Sequence, residues 1–275
     1  MTYDALGVGA LDYLPCRYGT SKLLFRGPRR RLEQDYVAFI GGTETYGKFI
    51  EHPFPDLIEQ ATGYTCVNFG FPNAGVDVFA HDPFVPSATS AARVTVIQVL
   101  GAQNVSNRYY SVHPRRNDRF VAASPLLQTI YREIEFGEYH FTKHMLTSLM
   151  TVSPDRFELV RDELQQCWVA RMKVLLSRIS GKTVLLWFAP RSLEQDEKVT
   201  DFGADPMFVT RDMVEAVRTI VTDVVEVVAS PEALAKGTEG MVFSQMEAPA
   251  AGHIMGPAAH GEVASALSDV VARLF

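Results

Sequence analysis

Tyr36-Val37-Ala38-Phe39-Ile40-Gly41-Gly42-Thr43-Glu44-Thr45-Tyr46-Gly47-Lys48 is the stretch on which the fold turns. Its first five residues are apolar, with branched and aromatic side chains, the pattern of a strand buried on both faces. Two glycines break the run, hydroxyls follow at Thr43 and Thr45, and Gly47 frees the backbone for the turn into the next element. A hydroxyl at the end of such a strand can act as a nucleophile or bind an anion.

Working outward, four more runs have the same character: Thr65 to Phe69, Arg93 to Leu100, Thr183 to Phe188 and Val224 to Val228. Helical patterns lie between them at Phe54 to Ala61, Pro83 to Ala92, Pro125 to Ile134, Pro154 to Ile179 and Arg211 to Val221, and a last one runs from Pro257 to Leu274. Strands alternating with helices predict an α/β protein, a three-layer α/β/α sandwich with a mainly parallel five-stranded sheet. Ligands of such sheets sit beyond the carboxyl ends of the strands. Three loops therefore matter: Gly41 to Lys48, Gly70 to Asp82 and Gly101 to Asp118.

At 275 residues and 47% hydrophobic content the chain reads as one domain, 1–275, with an irregular N-terminal extension 1–32 and an inserted basic and helical region 105–150. The extension carries Arg17, Arg26, Arg29, Arg30 and Arg31 and is expected to pack over the sheet or an oligomer partner; a homo-oligomer is left open. With 21% charged residues and a net charge of −6, the chain has no global attraction to nucleic acid or anionic membrane. No nucleic-acid recognition module is visible. No apolar run approaches the roughly 20 residues of a membrane span, and Met1 to Ala5 begins no basic-then-apolar leader, so a cytoplasmic location is expected.

Cys16, Cys66 and Cys167 form no CxxC pair and read as reduced and structural. His140 and His144 lack a third ligand at metal-site spacing and read as solvated or core histidines. Trp168, Met172, Leu175 and Leu176 recur at helical intervals and read as core. No metal and no cofactor are expected.

The first-strand loop supports two readings. Gly42 to Lys48 fits the phosphate-binding pattern G-x-x-x-x-G-K, but Phe49 follows where Ser or Thr holds magnesium; on this reading the protein is a nucleotide- or sulfonucleotide-dependent transferase. The second reading is a resemblance. Gly41-Gly42-Thr43-Glu44-Thr45-Tyr46-Gly47 resembles the G-D-S-x-T-x-G first block of the SGNH (GDSL) esterase and lipase superfamily, with Gly42 at the aspartate and Thr43 at the serine nucleophile.

Further blocks follow in that superfamily's order. Val67-Asn68-Phe69-Gly70-Phe71-Pro72-Asn73-Ala74-Gly75 is similar to the second, whose glycine amide donates to the oxyanion; Gly75 is matched to that donor and Gly70 is the second candidate. Val99-Leu100-Gly101-Ala102-Gln103-Asn104 stands at the third, with Gln103 and Asn104 as amide donors. Ala251-Gly252-His253-Ile254-Met255-Gly256-Pro257-Ala258-Ala259-His260 is similar to the fifth, with His253 at the base and His260 at a second histidine in the helix start. Ala250 occupies the position of the acid that orients the base, and Glu247 is the nearest carboxylate. The whole chain also resembles a bacterial family with the strings GGTETYGKF and VHPRRNDRF, here Gly41 to Phe49 and Val112 to Phe120. The resemblance implies an SGNH- or flavodoxin-like fold and a hydrolase or group transferase acting on an ester-like or acyl group.

Ser106 to Phe120 gathers Arg108, Arg115, Arg116 and Arg119 with His113 and several aromatics, and reads as a long loop. Arginine grips carboxylate, sulfate and phosphate bidentately, so these residues, with Thr45, Lys48 and Asn73, are expected to bind a small-molecule or glycan substrate bearing an anionic group. The competing readings are ion pairs to Asp118, Glu133, Glu135 or Glu138 that staple the loop, and a catalytically silent anion- or glycan-binding protein.

Overall fold

Alternation along the first strand divides the core in two. Val37 and Phe39 join one apolar cluster with Val94, Val96, Val184, Leu186 and Phe188, whereas Tyr36, Ala38 and Ile40 join another with Val67, Ile97, Leu185 and Trp187. Successive side chains of a strand point to opposite faces, so a strand buried on both sides has to be apolar throughout. All five residues of Tyr36–Ile40 are buried.

The computed structural model describes residues 11–195, 202 and 205–275. Its strands are β1 (Tyr36–Ile40), β2 (Thr65–Asn68), β3 (Val94–Gln98), β4 (Tyr110–His113), β5 (Arg116–Ala123), β6 (Lys182–Ala189) and β7 (Asp223–Val228). Five of them form one parallel sheet in the order β2-β1-β3-β6-β7. These five coincide with the runs read from the sequence. Helices Phe54–Thr62 and Pro257–Leu274 cover one face. Val76–Ala80, Val85–Ala91, Pro154–Ser177 and Arg211–Arg218 cover the other, completing the three-layer sandwich. The 24-residue helix Pro154–Ser177 starts where Ser153 accepts from the Arg156 amide and Pro154 opens the first turn. It buries Trp168, Met172, Leu175 and Leu176 as expected.

One expectation is corrected and another extended. The stretch Gly101 to Ser124 is not a loop throughout: β4 and β5 pair antiparallel with register shifts near Val112. Tyr110, Val112 and Phe120 supply its buried face, a period-two signal obscured by the arginines between them. Within the region 105–150 read as basic and helical, the one helical pattern placed is Pro125 to Ile134; the structure adds the helix Thr142–Val152, buried through Met145, Leu146 and Leu149.

The N-terminal stretch packs on the sheet's second cluster through Tyr18, Leu23 and Phe25. Arg26 is buried there, donating to the carbonyls of Gly47 at 2.6 Å and Glu51 at 2.7 Å. Desolvation lowers its pKa. Cys16, Cys66 and Cys167 are free thiols. Among the described residues no helix is long and apolar enough to cross a membrane.

Candidate functional site

The sheet reverses direction of growth between β1 and β3, and at such a switch point the loops leaving the two strands diverge and open a crevice. A cleft of about 330 Å³ lies there. Gly42, Thr43 and Glu44 enter it after β1, Asn73 after β2, and Gln98, Gln103 and Asn104 from β3 and its loop; Asp118, Phe141, Lys143 and Asp205 close it.

Gln98 ends β3 and organises the loop after β1. Its Oε1 accepts from the Gly42 amide at 3.1 Å, the Thr45 amide at 3.2 Å and the Thr45 hydroxyl at 2.6 Å. A Cβ on Gly41 would lie 2.1 Å from Thr45 Oγ1 and 2.6 Å from Gln98 Oε1, so no other residue fits that turn. Thr45 is fully buried. Its hydroxyl holds the loop together, and the expected contact with substrate is corrected accordingly.

The same bonds remove the phosphate-cradle reading. Residues Thr43–Tyr46 form a short helix, and the amides of Tyr46, Gly47 and Lys48 donate back to Gly42 and Thr43. No ring of free amides is left to cradle phosphate. Lys48 Nζ lies over the Phe49 ring at 4.6 Å and does not line the cleft, so its expected role in substrate binding is corrected too.

Thr43 opens that helix at the cleft floor. Its Oγ1 accepts from the Asn73 amide at 3.0 Å and donates to Asn73 Oδ1 at 3.3 Å. Asn73, whose φ of +55° is one that asparagine tolerates, donates from Nδ2 to Asp118 Oδ2 at 3.5 Å. Burial raises the Asp118 pKa, against the opposing pull of Arg119 and Arg116.

The oxyanion donors expected among the glycines are spent. The Gly75 amide donates to Asn117 Oδ1 at 3.1 Å and the Gly70 amide to Asn68 Oδ1 at 2.8 Å. A Cβ on Gly75 would fall 1.9 Å from the Asn104 carbonyl oxygen, so Gly75 serves close backbone packing. The side-chain amides do reach the cleft. Gln103 Nε2 donates to Asp205 at 3.2 Å and Asn104 Nδ2 to the Asn73 carbonyl at 3.3 Å. A carboxamide carries two N–H bonds, so each keeps one, and Gln98 Nε2 has no protein partner among the described residues.

His253 lines a second cavity, of about 300 Å³, that shares Glu44, Gln98 and Asp205 with the cleft. No hydrogen bond joins it to Thr43, and among the described residues no carboxylate pairs with its ring. Glu247 caps its own turn, accepting from the Ser244 amide and hydroxyl at 3.2 and 2.9 Å, so it does not orient His253.

His260 is the buried histidine. Its Nδ1 accepts from the Phe54 amide at 3.1 Å, which puts the ring proton on Nε2, 3.6 Å from Glu44 Oε2. Glu44 Oε1 in turn accepts from the Met255 amide at 3.2 Å. Glu44 thus ties the segment carrying His253 to the loop after β1.

The basic residues separate into two groups. Arg108 is pinned to Glu163, with Nε 2.8 Å from Oε2, a partner outside the expected Asp118, Glu133, Glu135 and Glu138, and its expected role in substrate binding is corrected. Glu133 pairs with Arg156 instead of the hairpin arginines. His113, Arg115, Arg116 and Arg119 line a separate groove beside the cleft. Glu44, Gln98, Asp118 and Lys143 are site residues that the sequence motifs do not mark, whereas His260 is matched there to a second histidine without a partner. Gln98 had a signal, a polar side chain closing an otherwise apolar strand.

The chain belongs to the family described as a domain of unknown function (DUF6473), whose profile matches residues 1–275. No curated protein matches it in sequence. Among solved structures it is similar to a carbohydrate esterase family 2 enzyme with a carbohydrate binding domain from Corynascus thermopiles (Myceliophthora fergusii), at 11% identity and a TM-score of 0.40 over 90% of this chain and 69% of that one. It is similar to the lipase Lip_vut3 from a goat rumen metagenome, at 11% identity and 0.40 over 85% and 97%. It is also similar to a gut microbial diltiazem-metabolizing enzyme, at 10% identity and 0.41 over 93% and 49%.

Proposed function

We propose that this member of the DUF6473 family is an SGNH-like hydrolase or group transferase that acts on an ester-like acyl group of a hydroxyl-rich substrate held in the cleft between β1 and β3. The observation that carries the reading is the meeting of the Thr43 hydroxyl with the carboxamides of Gln98, Gln103 and Asn104 at the switch point of the sheet. Thr43 Oγ1 attacks the carbonyl carbon and His253 takes its proton. Side-chain N–H groups stabilise the oxyanion. The bond to the alcohol then breaks, the alcohol leaves with that proton, and water or an acceptor hydroxyl releases the acyl group from Thr43. Catalytic hydrogen bonds are often open in unliganded sites and close around substrate; the His253 side chain is exposed on a short segment between helices.

A second reading has its own support: the Thr43 hydroxyl is closed on Asn73 and, among the described residues, no acid backs His253. It is a silent binding module using the same cleft. Purified protein assayed with short-chain aryl esters and acetylated sugars separates the two. Turnover lost in both Thr43→Ala and His253→Ala supports the enzyme; equal residual turnover in the two variants removes the assignment. No turnover in the wild type, with a Tm that rises on adding ligand, supports the binding module.

A further inference from the structure

We infer that the groove beside the cleft is a binding subsite for an acidic glycan. Lys22, Arg115, Arg116 and Arg119 line a groove of about 640 Å³ with no acidic residue in its wall. None of the four makes an ion pair among the described residues. In a chain of net charge −6, four cations on one wall without an ion pair, with Asp118 acting on Arg116 and Arg119 from the cleft side, favour a ligand with several anionic groups.

The groove is built as well as charged. His113 Nδ1 accepts from the amides of both Arg115 and Arg116 at 3.2 Å, which sets the turn that carries them. The buried Asn117 locks that turn to the domain, donating to the His113 carbonyl at 3.0 Å and accepting from the amides of Gly75 and Val78 at 3.1 Å each. Arg119 is laid over the Phe141 ring at 4.4 Å. The bonds at His113 fix the backbone that carries Arg115 and Arg116, and Arg119 is held through its side chain; a cation held in place beforehand loses less entropy on binding than a free one does.

Two features choose a glycan among polyanions. The exposed apolar residues of the wall are aliphatic, Leu24 at 41% and Val121 at 57% exposure, while Phe120 is buried and Phe71 half-buried, so the wall has no open row of aromatic platforms of the kind on which single-stranded nucleic acid stacks its bases. The groove also adjoins the cleft across the β5 strand: Asp118 lines the cleft, Arg119 lines the groove, and the Phe141 beneath Arg119 lines the cleft. A chain lying across this rim meets cations on one side and carboxamides and carboxylates suited to hydroxyl groups on the other. This subsite rests on the reading of the cleft as a hydroxyl-binding site and assigns an anionic class to its substrate.

The test is fluorescence anisotropy with a labelled heparin-derived hexasaccharide, an oligogalacturonate, neutral maltohexaose and a single-stranded oligonucleotide of matched charge. The expected result is binding of one or both acidic glycans, weakened by salt, with no binding of maltohexaose. The sulfated and carboxylated probes distinguish which anion the groove prefers. Arg115→Glu with Arg116→Glu should raise Kd at least tenfold at unchanged Tm; should Tm fall, the Arg115→Gln and Arg116→Gln pair carries the same comparison. Binding that survives both pairs overturns the proposal, as does failure of both acidic glycans to bind, or an oligonucleotide bound as tightly as they are. Wild-type protein that binds the acidic glycan without any ester turnover sinks the proposed reaction and leaves the subsite standing.

Discussion

Glu44 Oε2 and His260 Nε2 face each other across 3.6 Å, and neither atom has a hydrogen-bond partner among the described residues. His260 is fully buried, stacked on Phe54 and set edge-on to Phe188. The pair bridges 216 positions of sequence, from the loop after β1 to the start of the last helix. Glu44 also reaches the Met255 amide, so one carboxylate fixes the floor shared by both cavities.

Removing that carboxylate leaves the Met255 amide without its acceptor and takes from His260 Nε2 the carboxylate it faces at 3.6 Å. Glu44→Ala is expected to destabilise the fold by about 1–3 kcal/mol, the usual cost of stranding buried donors. Glu44→Gln, which keeps one oxygen acceptor, should recover part of the loss. Urea unfolding of the three proteins measures this, and equal midpoints for Ala and Gln would show that the carboxylate oxygens do not anchor the segment.

Gln98 is the corresponding anchor on the β3 side. Its Oε1 serves three donors at once, and Gln98→Ala strands all of them in the buried loop. A loss of roughly 2 kcal/mol or more is expected, with faster amide hydrogen exchange at Gly42 and Thr45. Exchange unchanged at both amides would contradict the role given to Gln98.

Asp118 makes the stability depend on pH. Burial raises its folded pKa above the ordinary 3.8, so the folded state favours the protonated acid. Its contribution is fully present below the ordinary value and is lost as pH rises through the folded value. Asp118→Asn should therefore raise Tm at pH 7, with the gap to wild type closing as the pH falls toward 3.8. Calorimetric scans across that range check it; a gap that widens on acidification has the wrong sign.

The sheet was legible because its inner strands β1, β3 and β6 are buried on both faces, which forces continuous apolar runs such as Tyr36 to Ile40 and Thr183 to Phe188. Local pattern carries that information. The hairpin Tyr110–Ala123 was not legible as a hairpin, because only one of its faces is buried and arginines fill the other. The site was half visible. Thr43 and the carboxamides follow strands and inherit their position from them, whereas the pairing of Glu44 with His260 and the engagement of Gly75 by Asn117 join residues 216 and 42 positions apart. Such pairings depend on the packed tertiary arrangement, and no spacing rule records them.

Thr43 decides between reaction and binding. Thr43→Val removes the hydroxyl while preserving the branched shape, and its cost is the acceptor lost to the exposed Asn73 amide, about 1 kcal/mol or less. The fold should survive, and ester turnover should vanish. Thr43→Ser keeps the hydroxyl and removes the methyl that restricts its approach to a carbonyl, so kcat/KM should be retained or rise severalfold. The paired variants are read by steady-state kinetics beside urea unfolding. Turnover by the valine variant at the wild-type rate would exclude Thr43 as the attacking group, because no other atom of that side chain can form the acyl bond.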